Sequence, residues 1–218
     1  MQEYLDKITL TTILVVATFL VATIFYRRGK LYNLLYGIIC LNLFSEVMAL
    51  IAITTKRFGF IHFYNLNFFI QPILWFLLIK LILKNQLSSF LMITLFVSFA
   101  IFNLLFFEKF GLNEYTFICA SFMYIGYYIW AHFRLLRKEK LEHFSSKEFL
   151  LLSSPLVFFF GISILLCFGD SGLKSTPLLG RSLYNIIQNF TNLIYYSLLI
   201  TYIIKSRNEG KQKLELHD

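Results

Sequence analysis

Seven stretches of about 20 residues along this chain are each apolar enough to cross the hydrocarbon core of a bilayer. Read as helices they cover 8–26, 31–54, 61–83, 88–107, 115–133, 149–168 and 182–204, with ends good to a few residues. Within 218 residues, seven spans leave only short connections and a tail over 205–218. The expected fold is therefore all-α: a single polytopic membrane domain, built as a compact seven-helix bundle. Composition agrees. The chain is 58% hydrophobic and only 15% charged, a departure from globular usage in the direction of membrane proteins. Its 26 Phe suit contact with lipid, whereas its 13 Tyr each need a partner for a polar tip.

The distribution of basic residues orients the bundle. Lys7, Lys56, Arg57, Lys109, Lys174 and Arg181 fall at the end that carries the N-terminus. The remaining 14 of the 20 Lys and Arg, among them Arg27, Arg28, Lys84, Arg134, Arg137, Lys138 and Lys140, fall at the other end. The positive-inside rule then places the N-terminus outside and the C-terminus in the cytoplasm. The net charge of +8 follows from that bias and implies affinity for anionic lipid headgroups on the cytoplasmic side. It does not imply nucleic-acid binding, for which no soluble surface is expected. The abundance of Phe, Ile, Asn and Lys suggests an AT-rich bacterial genome, so the expected location is a bacterial inner membrane, crossed many times. The first helix reads as a permanent span and not a signal peptide: its leader is not net basic, and it ends in the stop-transfer flank RRGK.

Polar side chains inside membrane spans are costly and tend to face the bundle interior or a water-filled cavity. Glu46 is the one acid well inside a span. It lies eight residues below the outer end of the second helix, roughly 12 Å deep at 1.5 Å per residue. The third helix brings Gln71 to a similar depth, with His62, Tyr64 and Asn67 above it. The seventh brings Asn189 and Asn192. On that helix Arg181, Asn185, Gln188, Asn192 and Tyr195 recur at steps of four, three, four and three, which is one continuous stripe. Polar groups from three helices thus converge on one layer.

That layer has two readings: hydrogen-bonded glue between helices, or a pocket open to the outside. A carboxyl is not needed for glue, and the number of amides exceeds what glue requires. The expected function is therefore a receptor-like or sensory membrane protein that binds a small ligand or ion. Glu46, Gln71, Asn189 and Asn192 would form the floor, Arg181 and Asn185 the rim, and Gln188, Asn67, Tyr64 and His62 the walls. The 5–6 connection or the tail would pass the signal to a separate cytoplasmic or membrane partner. The alternatives are a small-solute or proton-coupled transporter using the same cavity, and an accessory subunit whose polar stripes are interfaces.

Pro72 and Pro155 each remove a backbone donor inside a span, and the loop 168–181 above the polar layer is a candidate lid. Cys40, Cys119 and Cys167 are expected as buried free thiols, since an odd count without CxxC fits neither a disulfide framework nor a metal site. No catalytic or metal-ligating set and no cofactor motif is expected. Retinal binding requires a Lys in the middle of the seventh helix, and the one Lys there, Lys205, sits at its end. Asn192-x-x-Tyr195 resembles in layout an element of G-protein-coupled receptors but lacks its Pro, and no Asp-Arg-Tyr ends the third helix.

Overall fold

The computed structural model describes residues 9–55, 61–84, 86–108, 111–168, 177–178 and 181–215. Seven α-helices account for most of them: α1 Leu10–Ile24, α2 Lys30–Thr55, α3 Ile61–Leu83, α4 Gln86–Phe106, α5 Glu114–Leu136, α6 Lys147–Cys167 and α7 Leu183–Glu215. A short 3-10 helix, Leu141–Ser145, joins α5 to α6. Two strands of two residues, β1 Pro177–Leu178 and β2 Arg181–Ser182, pair antiparallel before α7. They are the described part of the candidate lid; residues 169–176 and 179–180 lie outside the described residues.

Four helices are long and apolar enough to cross a membrane: α2, α3, α6 and α4 from Ser88 onward. In α1 the described helix has 15 residues, about three-quarters of the hydrocarbon thickness of a bilayer at helical rise. α5 and α7 have sufficient length, but Tyr and His in the one and amides in the other lower their mean hydropathy. Most of those polar groups are turned inward. Tyr124, Tyr127, Tyr128 and His132 of α5 are buried, as are Asn192, Tyr195 and Tyr196 of α7. Phe122, Ile129 and Phe133 of α5 and Phe190, Leu193 and Ile204 of α7 are exposed instead. α7 also continues without a break through most of the stretch expected as a tail.

The helices pack as a closed ring in the order α1, α2, α3, α5, α6, α7, with α4 lying outside against α3 and α5. The exposed face of α4 is a run of Phe90, Leu91, Leu95, Phe99, Phe102 and Phe106. Two of its polar groups turn inward: Ser89 is hydrogen-bonded to the Tyr127 hydroxyl at 2.9 Å, and Asn103 Nδ2 donates to Thr116 Oγ1 at 2.9 Å. Trp75, Phe76, Tyr124, Phe159 and Tyr195 fill the centre of the ring, none more than 2% exposed. Trp75 meets both Tyr124 and Tyr195 edge-on, with ring centroids 6.2 Å apart in each case.

Pro72 and Pro155 both lie inside unbroken helices. The carbonyl of Leu151, deprived by Pro155 of its usual i+4 donor, accepts instead from Ser154 Oγ at 2.8 Å. The next carbonyl, Leu152 O, accepts from the Tyr124 hydroxyl on α5 at 2.7 Å. Ser146 caps the start of α6, its hydroxyl accepting from Phe149 N at 3.1 Å. The three thiols are free, but they are not uniformly buried: Cys40 and Cys119 are half-buried and Cys167 is exposed at the end of α6. There, the face of α6 that meets its neighbours ends one residue earlier, with Leu166.

Candidate functional site

A cavity of about 240 Å³ opens between α1, α2, α3, α6 and α7 in the half of the bundle where α3 and α7 begin. Each helix supplies the turn that reaches this level: Thr11 from α1, Asn42 and Glu46 from α2, Tyr64, Asn67 and Gln71 from α3, and Tyr184, Gln188, Asn192 and Tyr196 from α7. Asn42 and Glu46 are four apart and so share a face, as do Tyr64, Asn67 and Gln71 at steps of three and four. The α7 residues repeat every four. α6 contributes only apolar wall, Phe158, Ile162 and Leu166.

Glu46 is half-buried in this wall. Its Oε2 accepts from Thr12 Oγ1 at 3.2 Å and its Oε1 from the Tyr64 hydroxyl at the long distance of 3.5 Å. It is the one carboxyl in the lining, and no basic side chain joins it there among the described residues. Deeper in, Gln71 Nε2 donates to the Tyr195 hydroxyl at 3.4 Å, and Asn192 Nδ2 donates to Thr11 Oγ1 at 3.2 Å and to Gln188 O at 2.9 Å. Asn67 Nδ2 donates to Asn42 Oδ1 at 3.3 Å. That bond leaves Asn42 Nδ2 and Asn67 Oδ1, a donor and an acceptor, buried without a hydrogen-bond partner among the described residues. Asn42 is 4% exposed and has the Tyr195 and Tyr196 hydroxyls beside its amide, so its donor is satisfied by a small shift of these neighbours or from within the cavity.

Of the residues singled out in the sequence, the structure brings together Glu46, Tyr64, Asn67, Gln71, Gln188 and Asn192. Asn189 is half-buried beside them but does not line the cavity, and His62 and Asn185 are exposed. Arg181 lies in β2, with its side chain outside the described residues. Thr11, Tyr184 and Tyr196 line the cavity without having been expected there. Tyr184 stands four residues before Gln188 and so on the same face, a signal present in the sequence; Thr11 carries none, because nothing in α1 distinguishes it from Thr12 or Thr18.

A second polar cluster closes the opposite end of α5. His132 Nδ1 lies 2.8 Å from Tyr128 O, so it must donate, and its Nε2 is left as an acceptor. The Nε2 of His143, on the 3-10 helix, stands 3.3 Å from it and is the donor of that pair. Burial lowers the pKa of His143, partly offset by the charge of Glu148. Among the described residues no group of three or more His, Cys, Asp or Glu is placed to hold a metal ion.

Comparison with protein-family models, with curated proteins and with solved structures found no match to this chain.

Proposed function

We propose that this chain is a seven-span, receptor-like membrane protein whose cavity binds a small molecule or ion bearing positive charge, with Glu46 as its counter-charge. The observation that carries the reading is the lone carboxyl facing a polar cavity with no cation beside it among the described residues. A carboxylate in such a place is expensive to keep unless a partner repays it. Tyr64, Tyr184 and Tyr196 add aromatic rings to the same wall, which suits an ammonium group. The orphaned donor and acceptor of Asn42 and Asn67 offer the rest of a small polar ligand one hydrogen bond of each kind.

The apolar outer faces and polar inner faces of α5 and α7 support counting both as spans, although their mean hydropathy alone does not. With the basic residues concentrated at the C-terminal end, the cavity faces outward from a cytoplasmic membrane, that of a bacterium by composition. Signal then leaves through the segment 134–148 or the extended α7, toward a separate partner. Binding is favoured over transport by what lies beneath the cavity: Trp75, Phe76, Leu78, Tyr124 and Tyr195 are fully buried and close the way to the other end.

Cysteine accessibility tests this reading. In a background with Cys40, Cys119 and Cys167 replaced by serine, Asn67→Cys is treated with cationic and anionic thiosulfonates of equal size. The cationic reagent is expected to react faster, from the outside of intact cells as well as in detergent, and Glu46→Gln should abolish the preference. A thiol inert to both reagents in detergent would mean a dry layer and end the proposal.

A further inference from the structure

A second concavity, about 260 Å³, lies at the opposite end of the bundle, between the end of α3 and the last turns of α5. Four basic residues line it, Lys84, Arg134, Lys138 and Lys140, together with Trp130 and the apolar Leu83 and Leu135. No carboxylate is among its described lining residues. Arg134 places its guanidinium over the Trp130 ring, 5.7 Å from the centroid. The lysines and the arginine are exposed, so their heads are free to converge on a common guest.

The backbone here is also unusual. Among the described residues two non-glycine residues have positive φ: Lys84 at 53°, which lines the hollow, and Glu139 at 54°, which lies in the chain between the lining residues Lys138 and Lys140. Lys84 stands just past the end of α3, where a left-handed residue is ordinarily Gly. A lysine there costs on the order of 1 kcal/mol more than Gly would. Local stability alone gives no reason to keep four like charges and a strained lysine around one hollow. An anion that binds them all does.

We infer that this hollow is a site for the headgroup of an anionic phospholipid in the leaflet on the C-terminal side. Its composition selects that anion over a soluble one. Trp130 is 46% exposed and the neighbouring Phe133 and Leu136 are 56% and 45% exposed, so an apolar surface runs directly away from the cationic rim. A phosphodiester enters among the cations while its acyl chains lie along that surface; Trp is suited to the boundary between the two. Basic pockets between membrane helices at this level are matched to phosphate-bearing headgroups, and four cations match a lipid with two phosphates best. The inference is independent of what the Glu46 cavity binds.

Native mass spectrometry and thermal unfolding of the full chain in nanodiscs test it. Wild type is compared with Arg134→Gln/Lys138→Gln and with Arg28→Gln/Lys30→Gln, which removes the same charge from the same end but outside the hollow. Bilayers of phosphatidylcholine alone, or with phosphatidylglycerol or cardiolipin, supply the lipid arm; millimolar inorganic phosphate or pyrophosphate in detergent supplies the soluble arm. Anionic lipid should be retained by wild type and by the Arg28/Lys30 variant, cardiolipin most strongly. The pocket variant should retain it about thirtyfold more weakly, the effect of two surface cations. Equal loss in both variants would show diffuse attraction only and overturn the site. Stabilisation by inorganic phosphate or pyrophosphate matching that by lipid would overturn the lipid assignment.

Discussion

Gly161 on α6 packs against Thr191 on α7 so closely that a β-carbon at position 161 would stand 2.1 Å from Thr191 Cγ2 and 3.3 Å from its Cβ. No rotation of the threonine relieves both approaches cheaply, because a β-branched side chain in a helix has few rotamers. The absence of a side chain at 161 is what lets α6 and α7 approach at this point, as small residues do in membrane bundles.

Gly161→Ala is therefore expected to destabilise the protein by about 1–3 kcal/mol, the usual cost of overpacking. Thr191→Ser removes the offending methyl and keeps the hydroxyl that donates to Gln188 O. Combining the two substitutions should recover most of the loss, measured as melting temperature in detergent. An unaffected single variant would mean that the helices are less closely apposed.

Ser154 and Pro155 should behave as a coupled pair. Ser154→Ala removes the donor to Leu151 O and leaves a buried carbonyl unsatisfied, at a cost of about 1–3 kcal/mol. In a Pro155→Ala background a backbone N–H returns to that carbonyl, so the same serine change should cost much less. Additive losses in the double-mutant cycle would contradict the pairing.

Stability should fall in acid through His143. Its folded pKa lies below the ordinary value of 6.5, so the unfolded chain takes up a proton first as pH falls. The contribution is complete above about pH 6.5 and is lost between that value and the lower folded pKa. His143→Gln should flatten melting temperature against pH over this window. An unchanged slope would assign the effect to other groups.

Much of this architecture is legible in the residues themselves. Apolar runs delimit α2, α3, α4 and α6 to within two residues, because a long uninterrupted helix is the one solution for such a run in lipid. The convergence of Glu46, Gln71 and Asn192 was legible from depth alone, since straight antiparallel helices of known rise place equal offsets at equal heights. What depth does not give is rotation. Asn189 sits at the right level but points beside the cavity, and His62 and Asn185 face outward. Nor does it give neighbours: that α4 stands outside the ring, and that α6 supplies apolar wall, depends on packing no periodicity records. The basic hollow escaped for the same reason, because Lys84 and Lys138 are far apart in the chain and meet only when α3 and α5 pack together.

In the proposed function, Glu46 is retained to meet a ligand and not to hold helices together. Its two hydrogen bonds are long, and no cation among the described lining residues pairs with it. Thermal unfolding of wild type against Glu46→Gln, in detergent at neutral pH and without added ligand, tests this most directly. Groups kept for function commonly cost stability. The variant is expected to melt at the same temperature or higher, whereas a fall of several degrees would make Glu46 a structural partner and overturn the proposed role.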